Sequence, residues 1–400
     1  MPGQYTYSTR DIKNICIIGG GVVETDGKSY FCKASIAEYL HDLAKITNNR
    51  IDFVTSIEDT HNYVSHIDIN RVNVIVQGNS RQNATLLDVL FDFKSQFQLL
   101  RKLLNQQTGV ILCGLTIGRL GTMVITKIFA GRVIYYLGSD PQLMAKLKPN
   151  TFKGTLKRFG LACTFPLTAF LSDGVLARGN ACYIQSQRWN KNVILSQPQI
   201  LYSQFKNHTQ SPNIDTTNTI VRFLYVGKLD KNKGVHLLLQ AVSRLINIDQ
   251  RDIQLTILGS GPEVGNLKKI VHEQKISKNV DFTGYIDKPE QLLTFYTRSD
   301  IIIIPTVTAE GFPRVIDEAM ACGKPVVCSR LGGMATSLND DEVIFVEPGS
   351  ADDLYKALYL FITDKKLHNE LKMKSLIRAE KILFISAAKQ HSQFLLGVLG

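Results

Sequence analysis

The sequence contains no long apolar run and no paired cysteines, and each absence argues against a class of protein. Although 44% of the 400 residues are apolar, no stretch approaches the roughly 18 apolar residues that a membrane-spanning helix needs. The seven cysteines form no C-x-x-C pair, which argues against a disulfide framework and a zinc site. The first residues, MPGQYTYSTRDIKN, lack the apolar segment of a secretory signal. We therefore expect a cytoplasmic protein with reduced thiols, either soluble or peripheral on the inner face of a membrane.

Acidic side chains are scarce in the first half of the chain, where basic side chains are in excess. Residues 1–200 contain 22 Lys or Arg and 13 Asp or Glu, which leaves 24 and 22 for residues 201–400. The span from Arg119 to Lys191 has eleven basic residues and two acidic ones, Asp140 and Asp173. Such a field attracts an anionic partner, and the alternative is a solvated basic face. No zinc finger, aromatic strand pair or basic helix supports nucleic acid as that partner.

Short apolar runs followed by helical periodicity recur along both halves of the chain. In the first half, strands are predicted at NICIIGG, RIDFVTS, VNVIVQG, TGVILCGL and GRVIYYLG, and a helix at FCKASIAEYLHDLAKI. After a polar stretch near 205–218 the pattern restarts with IVRFLYVGKL, and the strands IQLTILG, VDFTGY and DIIIIPT alternate with helices. Strands buried on both faces read as continuous Ile, Val and Leu, so each half predicts a doubly wound parallel α/β domain. We predict two Rossmann-like domains, residues 1–205 and 206–380, facing across a cleft.

Polar loops follow the predicted strands of the second half, where ligands of open α/β sheets bind. Gly227, Lys228 and Lys233 follow the strand FLYV, and Gly259 begins the loop after LTIL. The lysines, and the free N–H groups at the helix starts that follow, favour a phosphate group. The sequence therefore predicts an anion site at these loops.

The segment AEGFPRVIDEAMACGKP follows the strand DIIIIPT and carries two carboxylates, Glu310 and Glu318. Gly311 and Pro313 predict a turn, and the following helix is expected to end at Gly323. From the helical rise per residue, the two carboxylates are separated by something on the order of 10 Å, wider than the about 5 to 5.5 Å of a retaining glycosidase pair. The pair suits two hydroxyl-bearing groups on one ligand, with a diphosphate held by lysines between them. A nucleotide sugar has this order of parts: ribose, diphosphate and hexose.

Three segments of the second half read FLYVGKLDKNKGVHLLLQAV, LTILGSGPEVGNLKKI and VDFTGYIDKPEQLLTFYTRSDIIIIPTVTAEGFPRVIDEAMACGKPVV. Together they resemble the carboxyl-terminal domain of retaining GT-B glycosyltransferases of glycosyltransferase family 4. By this resemblance Glu318 binds the donor ribose, and Glu310 is a catalytic residue that holds the donor sugar. Lys228, where the family usually has arginine, and Lys233 hold the diphosphate and neutralise its growing charge. The other donor-binding positions that the resemblance implies are Gly227, Gly259, Tyr285, Ile286, Gly311, Phe312 and Pro313.

The amino-terminal half resembles the same family through its first strand, its glycine-rich loop and the following helix. Gly19, Gly20 and Gly21 would close the donor site from this second domain, and they are not a dinucleotide fingerprint because Glu24 stands where glycine is required. The family often has a histidine after the strand that RVIYYLG supplies, but all eight histidines of this chain lie outside residues 67–207. Asp140, in GSDP after that strand, is our remaining catalytic candidate, and the alternative is a simple turn.

The resemblance implies a metal-independent hexosyltransferase that acts with retention and needs no cofactor besides its nucleotide sugar donor. We expect a UDP- or GDP-sugar as donor and a saccharide or lipid-linked saccharide as acceptor, in cell-surface polysaccharide or glycolipid synthesis. Two alternatives remain: a non-hydrolysing sugar-nucleotide epimerase of similar fold, and a non-catalytic nucleotide-sugar-binding protein.

Two further segments carry predictions about the first domain, which we expect to bind the acceptor. The basic, phenylalanine-rich stretch NTFKGTLKRFGLACTFPLTAFL, interrupted by Pro166, is a candidate for contact with an anionic membrane surface, and the alternative is a place in the core. The tail, about residues 381–400, is expected to form a helix that packs back on the first domain.

Overall fold

The computed structural model describes the chain except for residues 1–11, 13, 27, 58–64, 80–96, 106, 115–117, 131, 139–151, 201–202, 206–219, 287, 309–311 and 400. The chain divides into two compact units. Unit 1 comprises Met1–Gln199 and Ile385–Gly400, and unit 2 comprises Ile200–Phe384. The division falls six residues before the predicted end of the first domain at 205, and the carboxyl-terminal segment belongs to unit 1.

Unit 1 contains a sheet of nine strands in its described residues. Seven of them run parallel in the order β5-β3-β1-β6-β7-β8-β9, and β2 and β4 extend the end of β1 by antiparallel pairing. The antiparallel pairs were not predicted, because Phe31 and Cys32 read as the start of a helix. The strands are β1 Asn14–Thr25, β2 Tyr30–Cys32, β3 Ile51–Ile57, β4 Ser65–His66, β5 Val72–Asn79, β6 Thr108–Cys113, β7 Arg132–Leu137, β8 Gly174–Ala177 and β9 Val193–Leu195.

Alternate residues of the central strand β1 enter two different cores, as the period of a strand requires. Ile15 and Ile17 join one core cluster, and Cys16 and Ile18 join the cluster on the other face. Helices cover both faces, which explains why these strands read as continuous apolar runs. The helices are α1 Ala34–Thr47, α2 Gly118–Phe129, α3 Phe152–Leu171, α4 Asn180–Gln187 and, from the carboxyl-terminal segment, α12 Ala387–Leu399.

Helices α1 and α12 pack against each other over one face of the sheet, and α2 and α3 pack against each other over the other. Asn48, in the left-handed region at φ 52°, ends α1. Helix α3 continues through Pro166, although the sequence predicted an interruption there. Among the helices described, none carries an apolar stretch long enough to cross a membrane.

Unit 2 contains a sheet of six parallel strands in the order β12-β11-β10-β13-β14-β15. Leu238, Leu239, Val242 and Leu245 recur at helical spacing and bury one face of α5 against it. The strands are β10 Val221–Val226, β11 Ile253–Leu258, β12 Val280–Gly284, β13 Ile301–Ile304, β14 Val326–Ser329 and β15 Ile344–Val346. The helices are α5 Val235–Asn247, α6 Val264–Glu273, α7 Pro289–Arg298, α8 Arg314–Ala321, α9 Gly332–Ser337, α10 Ala351–Thr363 and α11 Lys365–Ile382.

The strand order of unit 2 reverses between β10 and β13. From β10 the chain builds outward through β11 and β12, then returns to β13 on the other side of β10 and builds outward again. A crevice forms beyond the carboxyl ends of the strands at such a switch point, and ligands of open parallel sheets bind there. The fold therefore points to the loops that follow β10 and β13.

Candidate functional site

The loop after β10 is fixed by its backbone and leaves the Lys228 side chain exposed. The Tyr225 hydroxyl donates to the carbonyl of Lys228 at 2.9 Å. Gly227 N–H donates to the carbonyl of Leu258 at 3.0 Å, and Leu229 N–H donates to that of Ser260 at 2.8 Å. The predicted phosphate-binding lysine thus stands on a loop that these three hydrogen bonds hold in place.

Gly259, at the start of the loop after β11, is required by close backbone packing. Its φ is +141°, and a Cβ at this position would lie 1.8 Å from the carbonyl oxygen of Gly227. Its N–H donates to the carbonyl of Gly284 at 2.8 Å, which ties the ends of β11 and β12 together. The half-buried Tyr285 and Ile286 follow directly. Donor contacts for these residues stay a prediction, but their loops share one end of the sheet.

Lys233 ends a short 3₁₀ turn, Lys231–Lys233, that is held to the loop after β13. The Asp230 carboxylate begins the turn by accepting from Asn232 N–H at 3.0 Å. The carbonyl of Asn232 accepts from Val307 N–H at 2.9 Å and from the Thr306 hydroxyl at 3.1 Å. The structure therefore joins the lysine-bearing loop after β10 to the loop that leads into the Glu310 segment.

Glu318 lies in the second turn of α8, whose N-cap is Pro313 at φ −64°. Its side chain is 9% exposed, and Oε2 accepts a hydrogen bond from the Tyr296 hydroxyl at 2.7 Å. Tyr296 is fully buried in α7, and both burial and the neighbouring Glu318 raise the pKa of the Tyr296 hydroxyl, so this group remains a donor. The bond fixes one carboxylate oxygen of Glu318.

Tyr296, which lies 22 residues before Glu318, was not predicted from the sequence. Two signals were available: a buried tyrosine hydroxyl and a buried carboxylate each need a hydrogen-bond partner. Neither signal tells which tyrosine meets which acid, because the pairing depends on how α7 and α8 pack. Phe205 completes the surroundings of Tyr296 by an edge-on ring contact, with ring centroids 6.0 Å apart.

The turn before α8 is anchored by Phe312, which is buried at 6% exposure. The Arg378 guanidinium of α11 lies 5.5 Å from the centroid of the Phe312 ring. Arg378 Nη1 also donates to the carbonyl of Ser337 and to the Glu342 carboxylate, each at 3.2 Å. This packing positions the backbone at Phe312, where the sequence analysis placed a donor-sugar contact.

Three predicted residues lie outside the described part of the chain. These are Glu310 and Gly311 in the turn before α8, and Asp140 after β7. Their roles, and the separation between Glu310 and Glu318, remain predictions.

The three glycines at 19–21 do not form the loop that the sequence predicted; they lie within β1, which extends to Thr25. Pairing with β3 shifts there: Ile18 is opposite Val54, but Val22 is opposite Ser56. Two extra residues in β1 make a bulge, and the φ of +80° at Gly19 explains the need for glycine. The antiparallel partner β2 then prolongs the strand beyond the bulge. A donor contact by these glycines stays a prediction.

A buried histidine ties α12 to the sheet of unit 1. His391 Nδ1 lies 3.0 Å from the Tyr39 hydroxyl, and Nε2 lies 2.7 Å from Ser196 Oγ. Complete burial, together with the nearby positive charge of Arg178, lowers the pKa of His391 to about 3. The imidazole is therefore neutral, with one ring nitrogen donating and the other accepting. Tyr39 also lines a small cavity of about 20 Å³ with Gly19, Tyr136 and Gln199.

Comparison with protein families matches residues 204–376 to the model of the glycosyl transferases group 1. The matched range contains β10–β15, both lysines, Tyr296 and Glu318. This part of the chain, which is less than half of its length, is thus similar to the glycosyl transferases group 1.

Relatives among characterised proteins share part of their length with this chain. The N-acetylgalactosamine-N,N'-diacetylbacillosaminyl-diphospho-undecaprenol 4-alpha-N-acetylgalactosaminyltransferase of Campylobacter jejuni is 26% identical over 252 residues, which are 62% of this chain and 66% of that protein. The lipopolysaccharide 1,2-N-acetylglucosaminetransferase of Salmonella typhimurium is 32% identical over 181 residues, 43% of this chain and 46% of that protein. The matches thus span about half to two thirds of these two relatives.

Solved structures share the fold over nearly the whole chain. Anabaena Alr3699/HepE in complex with UDP has a TM-score of 0.62 at 17% identity, covering 95% of this chain and 98% of that one. Sucrose-phosphate synthase from Thermosynechococcus elongatus has a TM-score of 0.69 at 18% identity, with the same coverage. The predicted fold class, GT-B with two parallel-sheet α/β domains, is confirmed.

Proposed function

We propose that the protein is a retaining glycosyltransferase of family 4 that moves a hexosyl group from a UDP- or GDP-sugar to a saccharide or lipid-linked saccharide. The acceptor places it in the synthesis of a cell-surface polysaccharide or glycolipid. The reaction needs no metal and no cofactor besides the donor. The protein works in the cytoplasm, at the inner face of the membrane.

One observation carries this proposal: hydrogen bonds link the lysine-bearing loop after β10 to the loop after β13, and α8, which follows that second loop in the chain, carries a buried, hydrogen-bonded glutamate. Lys228 and Lys233 follow β10, Glu318 follows β13, and the two loops are linked through Asn232. Cationic groups suit a diphosphate, and the carboxylate suits the hydroxyls of a ribose. The glutamate keeps one oxygen, Oε1, free of the Tyr296 bond, and this oxygen accepts from the ribose.

In the transfer step the bond from the anomeric carbon to the diphosphate oxygen breaks, and a bond to the acceptor oxygen forms on the same face. Negative charge grows on the leaving nucleoside diphosphate, which takes the proton of the acceptor hydroxyl. Lys228, Lys233 and the amino terminus of α5 stabilise that charge, and a preorganised donor of this kind contributes about 3 to 4 kcal/mol to transition-state binding. Glu310 holds the hexose, and Asp140 is proposed to assist the acceptor.

The named relatives support the choice of acceptor. The Campylobacter jejuni protein is named for a diphospho-undecaprenol acceptor, and the Salmonella typhimurium protein for lipopolysaccharide. The UDP named in the Anabaena structure supports a uridine nucleotide as donor. We therefore rank UDP-sugars with lipid-linked saccharides first.

Product analysis tests the proposal. The protein is incubated with labelled UDP- and GDP-sugars and a membrane lipid extract, and the anomeric configuration of the product is determined by NMR. We expect transfer with retention, reduced at least tenfold by Glu318→Gln and Lys233→Ala but retained in Lys231→Ala, a matched lysine on the same turn. An epimerised nucleotide sugar without transfer, or binding without turnover, would contradict the proposal.

A further inference from the structure

Lys324 follows α8 directly, and its backbone is held in place there. Gly323, at φ +65°, ends the helix, and its N–H donates to the carbonyl of Met320 at 2.8 Å. Lys324 N–H donates to the carbonyl of Ala319 at 3.0 Å, and this pair of bonds is a Schellman motif. The carbonyl of Lys324 accepts from the Ser375 hydroxyl of α11 at 3.0 Å. The backbone at Lys324 is therefore fixed relative to α8 and α11.

The side chain of Lys324 reaches the carboxyl end of α7. Its Nζ donates to the carbonyl of Thr297 at 2.8 Å. Thr297 is the last residue but one of α7, where helix carbonyls have no partner within the helix. A lysine satisfies such a carbonyl and meets the negative end of the helix dipole. Lys324 thus joins the end of α8 to the end of α7.

The Lys324 side chain makes this contact from a half-buried position. Burial lowers the pKa of Lys324 below its ordinary value, and the nearby carboxylate of Asp300 offsets part of this shift. A long, flexible side chain also loses rotamer freedom when it is ordered. An apolar residue would fill the same space without either cost. What lysine adds at this position is therefore the hydrogen bond to α7.

Helix α7 buries little of its surface. Of its ten residues, all of them described, only Leu293 and Tyr296 are buried. Segments with few buried apolar contacts open more easily than the core around them. A hydrogen bond at the carboxyl end of α7 therefore has a large share in holding this helix in place.

The contact with Lys324 lies one residue from the tyrosine that meets Glu318. Tyr296 and Thr297 are consecutive in the last turn of α7. The Tyr296 hydroxyl donates to Glu318 at 2.7 Å, and the next carbonyl accepts from Lys324. Both bonds thus join the same two segments, α7 on one side and α8 with its carboxyl-terminal turn on the other. Loss of the Lys324 bond would free the helix end that carries the Tyr296 hydroxyl.

From these contacts we propose that Lys324 is a positioning residue: it holds the last turn of α7 on the end of α8 and so keeps the Tyr296 hydroxyl against Glu318. The proposal rests on the proposed function, because it needs Glu318 to contact the nucleotide. Lys324 acts through Tyr296 and needs no contact of its own with the donor. The alternative, a lysine that only caps α7, predicts a loss of stability without a matching loss of nucleotide affinity.

A double-mutant cycle tests the proposal by isothermal titration calorimetry with UDP and GDP. Lys324→Met keeps the apolar stem of the side chain and removes the donor. We expect Lys324→Met to weaken nucleotide binding about fivefold in the parent. When Tyr296→Phe is already present, the same change should cost less than about twofold, because the positioned hydroxyl is then absent. Lys324→Arg keeps a cationic donor and should bind within about twofold of the parent.

Lys127→Met is the matched control. Lys127 also donates from a partly buried position, to the Asp173 carboxylate at 2.8 Å, but in unit 1. This variant should lose stability in urea denaturation, as Lys324→Met does, and bind nucleotide like the parent. Thermal melts verify that the variants fold, and Lys324→Gln replaces Lys324→Met if that variant does not.

Three results would overturn the proposal. These are binding by Lys324→Met as tight as that of the parent, an equal loss with and without Tyr296→Phe, or binding by Lys324→Arg no tighter than by Lys324→Met. Each of them leaves the proposed function in place as long as Glu318→Gln binds weakly. Absence of nucleotide binding by the parent, in contrast, removes the proposed function, and this inference with it.

Discussion

Replacing Tyr296 by phenylalanine removes one hydroxyl from a fully buried position and leaves the ring packing in place. The lost bond is the 2.7 Å contact to Glu318 Oε2. A hydrogen bond to a charged group contributes about 1.5–3 kcal/mol, and a buried carboxylate oxygen left without a donor adds a desolvation cost. We expect unfolding free energy to fall by about 2 kcal/mol in urea denaturation. Because Glu318 loses the contact that fixes its orientation, nucleotide affinity should fall about tenfold, or roughly 1.4 kcal/mol.

Tyr355→Phe is the matched control for this experiment. The Tyr355 hydroxyl also donates to a carboxylate, Asp249 Oδ2 at 2.9 Å, but on α10 rather than beside Glu318. This variant should bind nucleotide like the parent in isothermal titration calorimetry. The reasoning is refuted if Tyr296→Phe binds nucleotide as tightly as the parent while Glu318→Gln does not, because the tyrosine would then not position the glutamate.

Two further predictions concern stability. Gly259→Ala forces a Cβ to 1.8 Å from the Gly227 carbonyl oxygen at a φ of +141°, so we expect the unfolding free energy in urea to fall by at least about 2 kcal/mol. The control is Gly265→Ala, where a Cβ meets nothing within 4 Å, and it should be neutral or stabilising. Equal effects of the two substitutions would contradict the close packing at Gly259. Burial lowers the pKa of His391 to about 3 in the folded protein, against 6.5 as its ordinary value. The stability contributed by this neutral imidazole is therefore complete well above pH 6.5 and is lost as the pH falls toward 3, by about 1 kcal/mol at pH 5.5 and about 3 kcal/mol at pH 4.5. His391→Gln should flatten this dependence in urea titrations at each pH while exposed His272→Gln does not, and an unchanged slope in His391→Gln would contradict the account.

Much of the fold of unit 2 is readable from its sequence. Ile301–Ile304 reads as a continuous apolar strand because both of its faces are covered, and the periodicity of Leu238, Leu239, Val242 and Leu245 predicts α5. In unit 1, Gly19–Gly21 misled the prediction because three glycines suit a loop as well as a bulge. Only the pairing with β3 decides between them.

The candidate site was predictable where it depends on strand ends and less so where it depends on helix packing. Lys228 and Lys233 follow a predicted strand directly, so their place at the sheet edge follows from βα alternation. Tyr296 and Arg378 reach the site from α7 and α11, and nothing in local spacing predicts these contacts. Likewise, the sequence showed that α3 is rich in phenylalanine, but which rings are exposed depends on Thr164 and Thr168 turning inward.

The proposed function requires that Lys233 and Glu318 of unit 2 hold a nucleoside diphosphate sugar. Isothermal titration calorimetry measures this binding for the parent with UDP, GDP and their sugars. Glu318→Gln, Lys233→Ala and the control Lys231→Ala are titrated alongside. We expect nucleotides of one of the two bases to bind the parent. Glu318→Gln and Lys233→Ala should weaken this binding by about ten- to a hundredfold, or roughly 1.4 to 2.8 kcal/mol. Lys231→Ala should bind like the parent. Binding that is absent for every nucleotide, or unchanged in Glu318→Gln, would contradict the proposed function.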